Sequence, residues 1–584
     1  MQEIKYVFAS IEAANAELAT YVPAVREVTG KDITLDRMKP LMEVLGNPER
    51  KIKIVHVAGT SGKTSTAYYI AKMLQKPGTK IGLTVSPHLD KVTERIQINS
   101  TPIDELAFCR ELGVFLHIIR DVQPRPTYFE LLVAFAYWYF AKVGVDIAVI
   151  ETGFGGLHDG TNVAQSSNKL CVITDIGFDH TAILGDTLPK IAAQKAGIIH
   201  ALNTVYMYEQ ADDVMEVFRT RSLQVGATLQ VVQQESLAQQ FQVQDIGNLP
   251  LFQQRNWLLA RLVCENIAKK YDWELNQTSL EESLQVQVPG RMEIIQSGNK
   301  TIVLDGAHNE QKMQSFVASF EEQFPEQKAT VLLSLKKDKE YHKVLPLLRV
   351  IADTLIVTSF DAVQDLPVPS MDPGILAEAA RKEGFANVQV YPDSKEAYDV
   401  FLFKTNGLGV VTGSFYLLGL VRQFRAQRKV RVMAAIDSKQ GLADEKGIPW
   451  DVPSDRKYLR NKTMGGVLLM GYNTYAEFDS PMSGRRNLVI ARDATALRSG
   501  FEAVYDVGEF MKTQPDNLWL FGGADAFKQT FKYADELYLT RIEGDFDCTK
   551  FFPEFETDFI RIEVSEPQQE NGITFQYEIW QRKD

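Results

Sequence analysis

Between residues 50 and 205 the apolar positions fall into short continuous runs separated by helix-sized amphipathic stretches. That rhythm predicts strands and helices in alternation around a mostly parallel sheet. KIKIVHVAG, DIAVIETG and LCVITDIG are the clearest strands. The run LLVAFAYWYFAKVGVDIAVI is interrupted by Lys142, Gly144 and Asp146. It reads as a buried helix, a turn and the strand Asp146–Ile150, not as a membrane span. Residues 205–250 are Gln-rich and irregular, so strands or excursion loops are expected there, before a helix starting near Gln253. A second α/β block follows Gly290, with strands TIVLD, ATVLLSL, DTLIVTS and NVQVY, and closes with LGVVTGSFYLLGLVRQF. The basic stretch RQFRAQRKVR predicts a linker or a helix end. Beyond it, VMAAIDSKQGLADEKGIPWDVPSDRKYLR opens with a strand, passes a Gly-rich loop and enters a helix near Ser454, with Pro453 and Ser454 as start signals.

At 584 residues the chain has room for three to four domains, and its 45% hydrophobic and 24% charged residues give it the profile of a globular protein. A net charge of −12 excludes a broad nucleic-acid surface while leaving room for local anion pockets. The four cysteines, Cys109, Cys171, Cys264 and Cys548, form no CxxC pair and are too few for a disulfide scaffold. The first residues lack a signal-peptide core, so a cytoplasmic location without membrane partners is expected.

The stretch KIVHVAGTSGKTST joins an apolar strand to a helix start through Gly59-Thr60-Ser61-Gly62-Lys63-Thr64. Glycines let the backbone curl so that N–H groups face phosphate oxygens, and the helix N-terminus adds its dipole. Lys63 can neutralise the outer phosphates; Thr64 can reach a phosphate or a metal. The loop is one residue shorter than the strict GxxxxGK[ST] pattern. Other polar residues stand at strand ends, where open α/β sheets place ligands: Ser86 and His88, Glu151, Asp179 and His180. Oxygen ligands with one imidazole suit Mg²⁺ or Mn²⁺ beside phosphate better than structural zinc. A lone histidine such as His180 is more often a structural residue.

VAGTSGKTST, SPHLDKVTERIQIN, PTYFELLVAFAY, VIETGFGGLHDGTNV, ITDIGFDHTAILGDTLPKIAAQKAGII, VPGRMEII, VLDGAHN and VTGSFYLLG together resemble the bacterial folylpolyglutamate synthase/dihydrofolate synthase family, a branch of the Mur-ligase superfamily, across about residues 1–420. The resemblance implies a P-loop Mur-ligase-type ATPase domain binding ATP and folate (1–290) and a Rossmann-like ligase C-terminal domain (291–421). It implies ATP-driven ligation of L-glutamate to dihydrofolate, tetrahydrofolate or dihydropteroate through an acyl phosphate. It makes Gly59 to Thr64 the phosphate loop, with Lys63 catalytic, and Ser86, Glu151 and His180 the metal ligands, His180 also catalytic. Lys195 falls where the family carries a carbamylated lysine. Asn256, Arg291 and Asp305 would hold ATP, with His308 nearby, and Thr127 and Gly156 would meet the substrate. The family commonly writes Gly-Gly-Arg-Leu-Asp where this chain has Gly155-Gly156-Leu157-His158-Asp159. That departure leaves the choice of folate open.

After a linker at 422–430, the blocks IPWDVPSD, VLLMGYNTYAEF, SGRRNLVIARD, LWLFGGADAFKQTF, ADELYLTRI and FFPEF resemble dihydrofolate reductase across 431–584. The resemblance implies an α/β reductase domain passing hydride from NADPH to dihydrofolate. Asp455 would bind the pterin edge, and Thr540 would hydrogen-bond into its network. Ile448, Trp450 and Leu459 would line the substrate pocket and Arg485 would pair with the glutamate α-carboxylate. Ala435, Gly471, Thr474, Gly522 and Gly523 would hold the cofactor. At the positions that read the 2′-phosphate stand Tyr472, the pair Ala491-Arg492 and Asp525, leaving Arg492 the evident cation. Two alternatives stay open at this point: a ligase half confined to polyglutamylation, and a non-catalytic ligase-like scaffold fused to an active reductase. Oligomeric state and channelling have no signature in the sequence.

Overall fold

The computed structural model describes residues 7–23, 34–243, 245–297, 300–361, 369–426, 429–464, 466–512 and 518–583. The chain forms two compact units, Met1–Ile295 with Thr301–Val421, and Gln296–Lys300 with Arg422–Asp584.

The first unit holds two sheets. The larger comprises β1 (Lys53–Ala58), β2 (Ile81–Thr84), β3 (Gln97–Ile98), β4 (Thr101–Pro102), β5 (Ile147–Glu151), β6 (Leu170–Ile173), β7 (Thr204–Tyr208) and β8 (Thr228–Val232), in the order β4-β3-β2-β5-β1-β6-β7-β8. Its strands pair in parallel except at β2-β3 and β3-β4. Central strands such as β5 and β6 are buried at every position because both faces are covered, and apolar throughout but for Glu151 at the end of β5. The chain leaves β1 for β2 on one side and later reaches β6 on the other. The ends of β1, β5 and β6 therefore surround a topological switch point, where ligands of such sheets bind.

The helix Tyr128–Val143 shows how the apolar run is used. A capping box at Thr127 and Glu130 starts it, and Gly144 in the left-handed region (φ 69°) ends it before β5. It is apolar nearly all round and correspondingly buried. Phe135 is fully buried, with Phe108 and Phe115 edge-on at 5.5 and 5.3 Å.

Residues 205–250, expected as strands or excursion loops, carry β7 and β8 but also the helices Asp212–Val225 and Gln234–Phe241. Each helix buries only a few apolar side chains, Val214, Met215 and Phe218 in the first and Leu237 in the second. So thin a stripe in a Gln-rich stretch obscures the helical period.

The second sheet comprises β9 (Glu293–Ser297), β10 (Lys300–Asp305), β11 (Ala329–Leu333), β12 (Ala352–Val357), β13 (Asn387–Val390) and β14 (Leu408–Thr412), ordered β13-β12-β11-β14-β10-β9. Of the stretch expected as a linker, residues 422–426 are the end of the helix Phe415–Ala426, while 427–428 lie outside the described residues.

The second unit is built on one twisted sheet: β15 (Val430–Ile436), β17 (Val467–Gly471), β18 (Arg486–Ile490), β19 (Phe501–Val504), β20 (Leu518–Gly522), β21 (Glu536–Ile542), β23 (Phe559–Val564), β24 (Gln568–Glu570) and β25 (Ile573–Arg582). Its order is β19-β18-β17-β20-β15-β21-β25-β23, with β24 on β25; β16 (Gly441–Ala443) and β22 (Lys550–Phe551) form a separate ribbon. Among the described residues no helix of the protein is long and apolar enough to cross a membrane.

Phe135→Ala leaves a cavity beside the Phe108 and Phe115 rings that can close only in part. It should destabilise the first unit by about 3–5 kcal/mol, read as a lower urea midpoint at unchanged m-value.

Candidate active sites

The phosphate loop leaves β1 at the switch point and is pressed against its neighbours. A Cβ on Gly59 would lie 1.8 Å from Thr174 Oγ1, and one on Gly62 would lie 2.4 Å from Asn256 Oδ1. Only glycine fits either place. The main-chain N–H groups of Thr60 and Ser61 donate to the Asp175 carbonyl at 2.8 and 3.3 Å. The amides left to meet an anion are therefore those at the start of the helix Lys63–Met73, which have no intrahelical acceptor. Thr60 Oγ1 donates to Gly177 O at 3.0 Å and Ser61 Oγ to Gln311 Oε1 at 3.0 Å, so the loop is tied to β6's exit and to the second sheet's first helix.

A cavity of about 610 Å³ opens beside the loop; Lys63, Ser86, Glu151, Asp179, Arg291 and Lys312 are among its walls. Glu151 is buried, and burial pushes its carboxyl pKa up against the opposing pull of Lys63. Its Oε1 accepts from Thr64 Oγ1 at 2.7 Å and its Oε2 from the Ser86 N–H at 3.2 Å. Ser86 Oγ is buried and has no hydrogen-bond partner among the described residues. An orphaned hydroxyl beside a buried carboxylate fits a hard cation bridging to phosphate, and His180 stands on the same cavity wall. Among the described residues no three His, Cys, Asp or Glu side chains converge as a cluster able to hold a metal ion by themselves. His88, another strand-end candidate, accepts instead from Arg95 Nε at 2.8 Å and is a buried structural residue.

Asp179 is the hub of an ion cluster and not a free metal ligand. Lys312 and Lys339 reach its two oxygens at 2.8 and 3.0 Å, and the His308 and His180 rings approach to 3.6 and 3.8 Å. Burial alone would raise its pKa; Lys312 and His308 instead hold it well below the carboxylate range. His308 Nδ1 lies 2.8 Å from Gly306 O, which fixes that nitrogen as the donor and turns Nε2 toward Lys312 at 3.1 Å. Burial lowers the Lys312 ammonium to about 8. Neither Lys312 nor Lys339 stood out in the sequence. Lys312 lies four residues after His308, in the first turn of the helix Glu310–Gln323 that follows it.

Several expected residues stand behind the cavity wall. Lys195 is buried in the last turn of the helix Leu188–Ala196 and donates to Gly59 O at 2.8 Å. Burial and then Lys63 drive its pKa well below the usual amine range. Asp305 accepts from the N–H groups of Met292 and Ala307 at 2.7 and 2.8 Å, and burial raises its carboxyl to about 6 although Arg291 opposes the shift. Arg291 itself lies over the Phe415 ring at 4.2 Å. Thr127, expected at the substrate, lines the cavity while also capping its helix. Gly156 was expected to touch substrate, but a Cβ there would meet Gln194 O at 2.7 Å. It is a packing residue against a neighbouring helix, and Gly155 and His158 face the cavity beside it. Leu157 turns away into a separate groove with Ala193 and Gly197.

In the second unit Ala435 and Thr540 are register partners on β15 and β21. Asp455 sits in the first turn of the helix Pro453–Lys462 and accepts from Thr540 Oγ1 at 2.5 Å. The helix N-cap is Val452, and the Ser454 N–H donates to Glu570 Oε2 at 2.8 Å. Trp450 is buried edge-on to Phe546 at 5.4 Å, Leu459 is half-buried and Ile448 is exposed. Tyr458, stacked on Tyr577 at 4.1 Å, is a neighbour that sequence reasoning missed. Arg485 donates from Nε to Thr463 Oγ1 at 2.8 Å and from its terminal nitrogens to the carbonyls of Ser483 and Arg460. It anchors the end of the Asp455 helix, a local role its sequence position did not disclose.

Gly522 and Gly523 turn with φ of 120° and 67° into the helix Ala524–Thr530, and Thr474 Oγ1 closes on Gly523. Gly471 packs against Ala526 and ends β17. Tyr472 and Arg492 are exposed, whereas Ala491 is buried. Asp525 points to solvent and pairs with Lys528 at 3.5 Å. It neither caps its helix nor points inward.

Residues 57–250 match the Mur ligase middle domain, 290–415 the Mur ligase glutamate ligase domain and 429–582 dihydrofolate reductase. The Bacillus subtilis dihydrofolate synthase/folylpolyglutamate synthase is 31% identical over 417 residues, spanning 67% of this chain and 94% of that one. The Lacticaseibacillus casei folylpolyglutamate synthase is 32% identical over 412 residues, 66% of this chain and 93% of its own. The crystal structure of Mycobacterium tuberculosis folylpolyglutamate synthase with ADP and AMPPCP superposes with a TM-score of 0.61 at 25% identity, covering 71% of this chain and 98% of that one.

Burial raises the Asp455 pKa; the Thr540 hydroxyl and then Arg456 oppose it. An acid so shifted costs stability as pH rises from its unfolded value, about 3.9, through its folded value. Asp455→Asn should therefore melt higher than the native protein at pH 7, with the gain vanishing below about pH 4. Calorimetry across that range checks it.

The loop, the cavity chemistry and these matches agree that the chain belongs to the dihydrofolate synthase/folylpolyglutamate synthase family of Mur ligases and carries a dihydrofolate reductase domain behind it.

Proposed function

We propose that the first unit joins L-glutamate to a folate carboxylate using ATP, and that the second reduces 7,8-dihydrofolate to tetrahydrofolate with NADPH. The observation that carries the ligase reading is the one cavity where Lys63, Ser86, Glu151 and Asp179 from the first sheet meet Lys312 and Lys339 from the second. Transfer of the γ-phosphoryl group to the folate carboxylate makes an acyl phosphate. The glutamate amine attacks its carbonyl carbon, the C–O bond to phosphate breaks, and phosphate and a proton leave. Lys63, Arg291 and the helix-start amides stabilise negative charge on the transferring group. Ser86, Glu151 and His180 would hold a Mg²⁺ or Mn²⁺ ion, which supplies Lewis-acid charge neutralisation when bound.

Asn256 against Gly62, with Arg291 and Asp305, forms the nucleotide side of this reading. The ADP and AMPPCP complex of the Mycobacterium tuberculosis relative supports ATP as the donor. Lys195 is the carbamylation candidate. Burial favours its neutral amine, the form that adds carbon dioxide. Leu157 faces away from the cavity, so the arginine missing there takes no charge from the wall described here. Dihydropteroate, dihydrofolate and tetrahydrofolate are the acceptors to assay.

In the reductase unit Asp455, held by Thr540, offers an acceptor pair to the flat donor edge of the pterin. Trp450 and Leu459 pack beside it. NADPH, when bound, supplies the hydride, and Gly471, Thr474, Gly522 and Gly523 would hold it on the pyrophosphate side.

Lys63→Ala should abolish glutamate-dependent ADP release while dihydrofolate reduction keeps its kcat/KM. Loss of both activities in folded protein would contradict two separate sites.

Arg492 is the basic group at the end of β18, and a charged hydrogen bond to the 2′-phosphate is worth about ten- to hundredfold. Arg492→Ala should shrink the NADPH/NADH ratio of kcat/KM about tenfold. Asp525→Ala, in contrast, should leave it unchanged, because Asp525 pairs with Lys528 in solvent.

A further inference from the structure

Behind the cavity wall runs a file of four buried polar side chains, of which the ligation chemistry above uses none. Asp159 lines the cavity although only 3% exposed. Its Oδ1 accepts from the Thr161 hydroxyl at 2.5 Å and the Thr161 N–H at 2.9 Å, and its Oδ2 accepts from the Phe154 N–H at 2.6 Å. Deeper in, Thr161 Oγ1 lies 2.8 Å from His56 Nε2, and His56 Nδ1 lies 3.4 Å from Lys169 Nζ. Thr161, His56 and Lys169 are all 0% exposed. Lys169 also donates to Ala164 O at 2.6 Å and Ile198 O at 2.8 Å, and among the described residues it makes no ion pair with a carboxylate.

A fully buried lysine without a counter-ion is costly, so its surroundings must use its three protons well. An ammonium has three N–H donors and no acceptor. Here three acceptors surround it: two carbonyls and His56 Nδ1. Because the lysine can only donate, Nδ1 must be unprotonated, and His56 is the Nε2–H tautomer. Burial, and then the charge of Lys169, keeps the ring neutral. Nε2–H therefore donates to Thr161 Oγ1, and the hydroxyl's own proton is committed to Asp159. Every hydrogen bond in the file points the same way, toward the cavity.

We propose that Lys169 is a positioning residue of the ligase site: acting through His56 and Thr161, it fixes Asp159 as an acceptor-only carboxylate facing the cavity. The group that meets Asp159 is a hydrogen-bond-donating edge of the folate acceptor and not the polyphosphate, whose oxygens a carboxylate repels. The inference rests on the ligase reading of this unit.

The test is steady-state ligation by the full chain, with KM measured separately for the folate acceptor and for ATP. Loss of one hydrogen bond to a carboxylate corresponds to about tenfold or more. Lys169→Met and Thr161→Val should each raise the acceptor KM by about that factor, with the ATP KM and kcat near native. The double variant should be no worse than Thr161→Val alone, since both cut the same line. Thr161→Ser keeps the hydroxyl and should recover most of the loss. If Lys169→Met does not fold, because two buried carbonyls lose their donor, His56→Gln with Thr161→Val makes the same comparison. Additive effects, or a rise shared by ATP, would overturn the proposal. Native protein that forms no glutamyl bond contradicts the ligase reading itself; active native protein whose variants keep their acceptor KM contradicts the relay alone.

Discussion

Burial of Glu151 beside Lys63 is the interaction on which the ligase site depends. A carboxylate at the end of a central strand is expensive to ionise, and its pKa is pushed up accordingly. Lys63 is pushed the other way by the same burial. Neither charge is comfortable alone, and together they create a place where an added dication and an added polyphosphate improve the balance. The same logic extends outward. Asp179 is surrounded by Lys312, Lys339, His308 and His180, and Asp305 lies below Arg291. The groups come from both sheets of the unit, so the site exists only when the two sheets are packed together.

The reductase unit uses burial in a simpler way. One carboxylate, Asp455, is held by one hydroxyl from the neighbouring strand, with aromatic side chains about it. A low-dielectric surrounding raises the acid's pKa and strengthens its hydrogen bonds to any donor edge that enters. Stability is sacrificed locally for a preorganised acceptor, a common trade at functional sites.

The parts of this structure legible in the sequence were those whose cause is local. β1, β5 and β6 announce themselves as short, mostly apolar runs, and the phosphate loop as glycines between a strand and a helix. Asp455 and Thr540 stand within blocks whose order resembles a known family. What the sequence hid depends on distant partners. The helices 212–225 and 234–241 bury too few residues to show a period. Lys312 and Lys339 acquire meaning only opposite Asp179, more than a hundred residues away in sequence. Gly156 reads as a ligand-facing glycine until the helix carrying Lys195 is seen against it. Lys169 carries no motif or periodic signal, yet it is wholly buried. Arg485 has the right charge for a carboxylate, while the structure shows it holding Thr463 and Arg460.

The central claim is that the charged cavity activates a folate carboxylate by phosphorylation. It is tested most directly by labelling both oxygens of that carboxylate with ¹⁸O and following the label through one ligation with ATP and L-glutamate. Attack of the amine on an acyl phosphate expels phosphate carrying one carboxylate oxygen. The account predicts one ¹⁸O atom in the released phosphate for each glutamyl bond made. Phosphate free of label, from protein that is forming the bond, would contradict it.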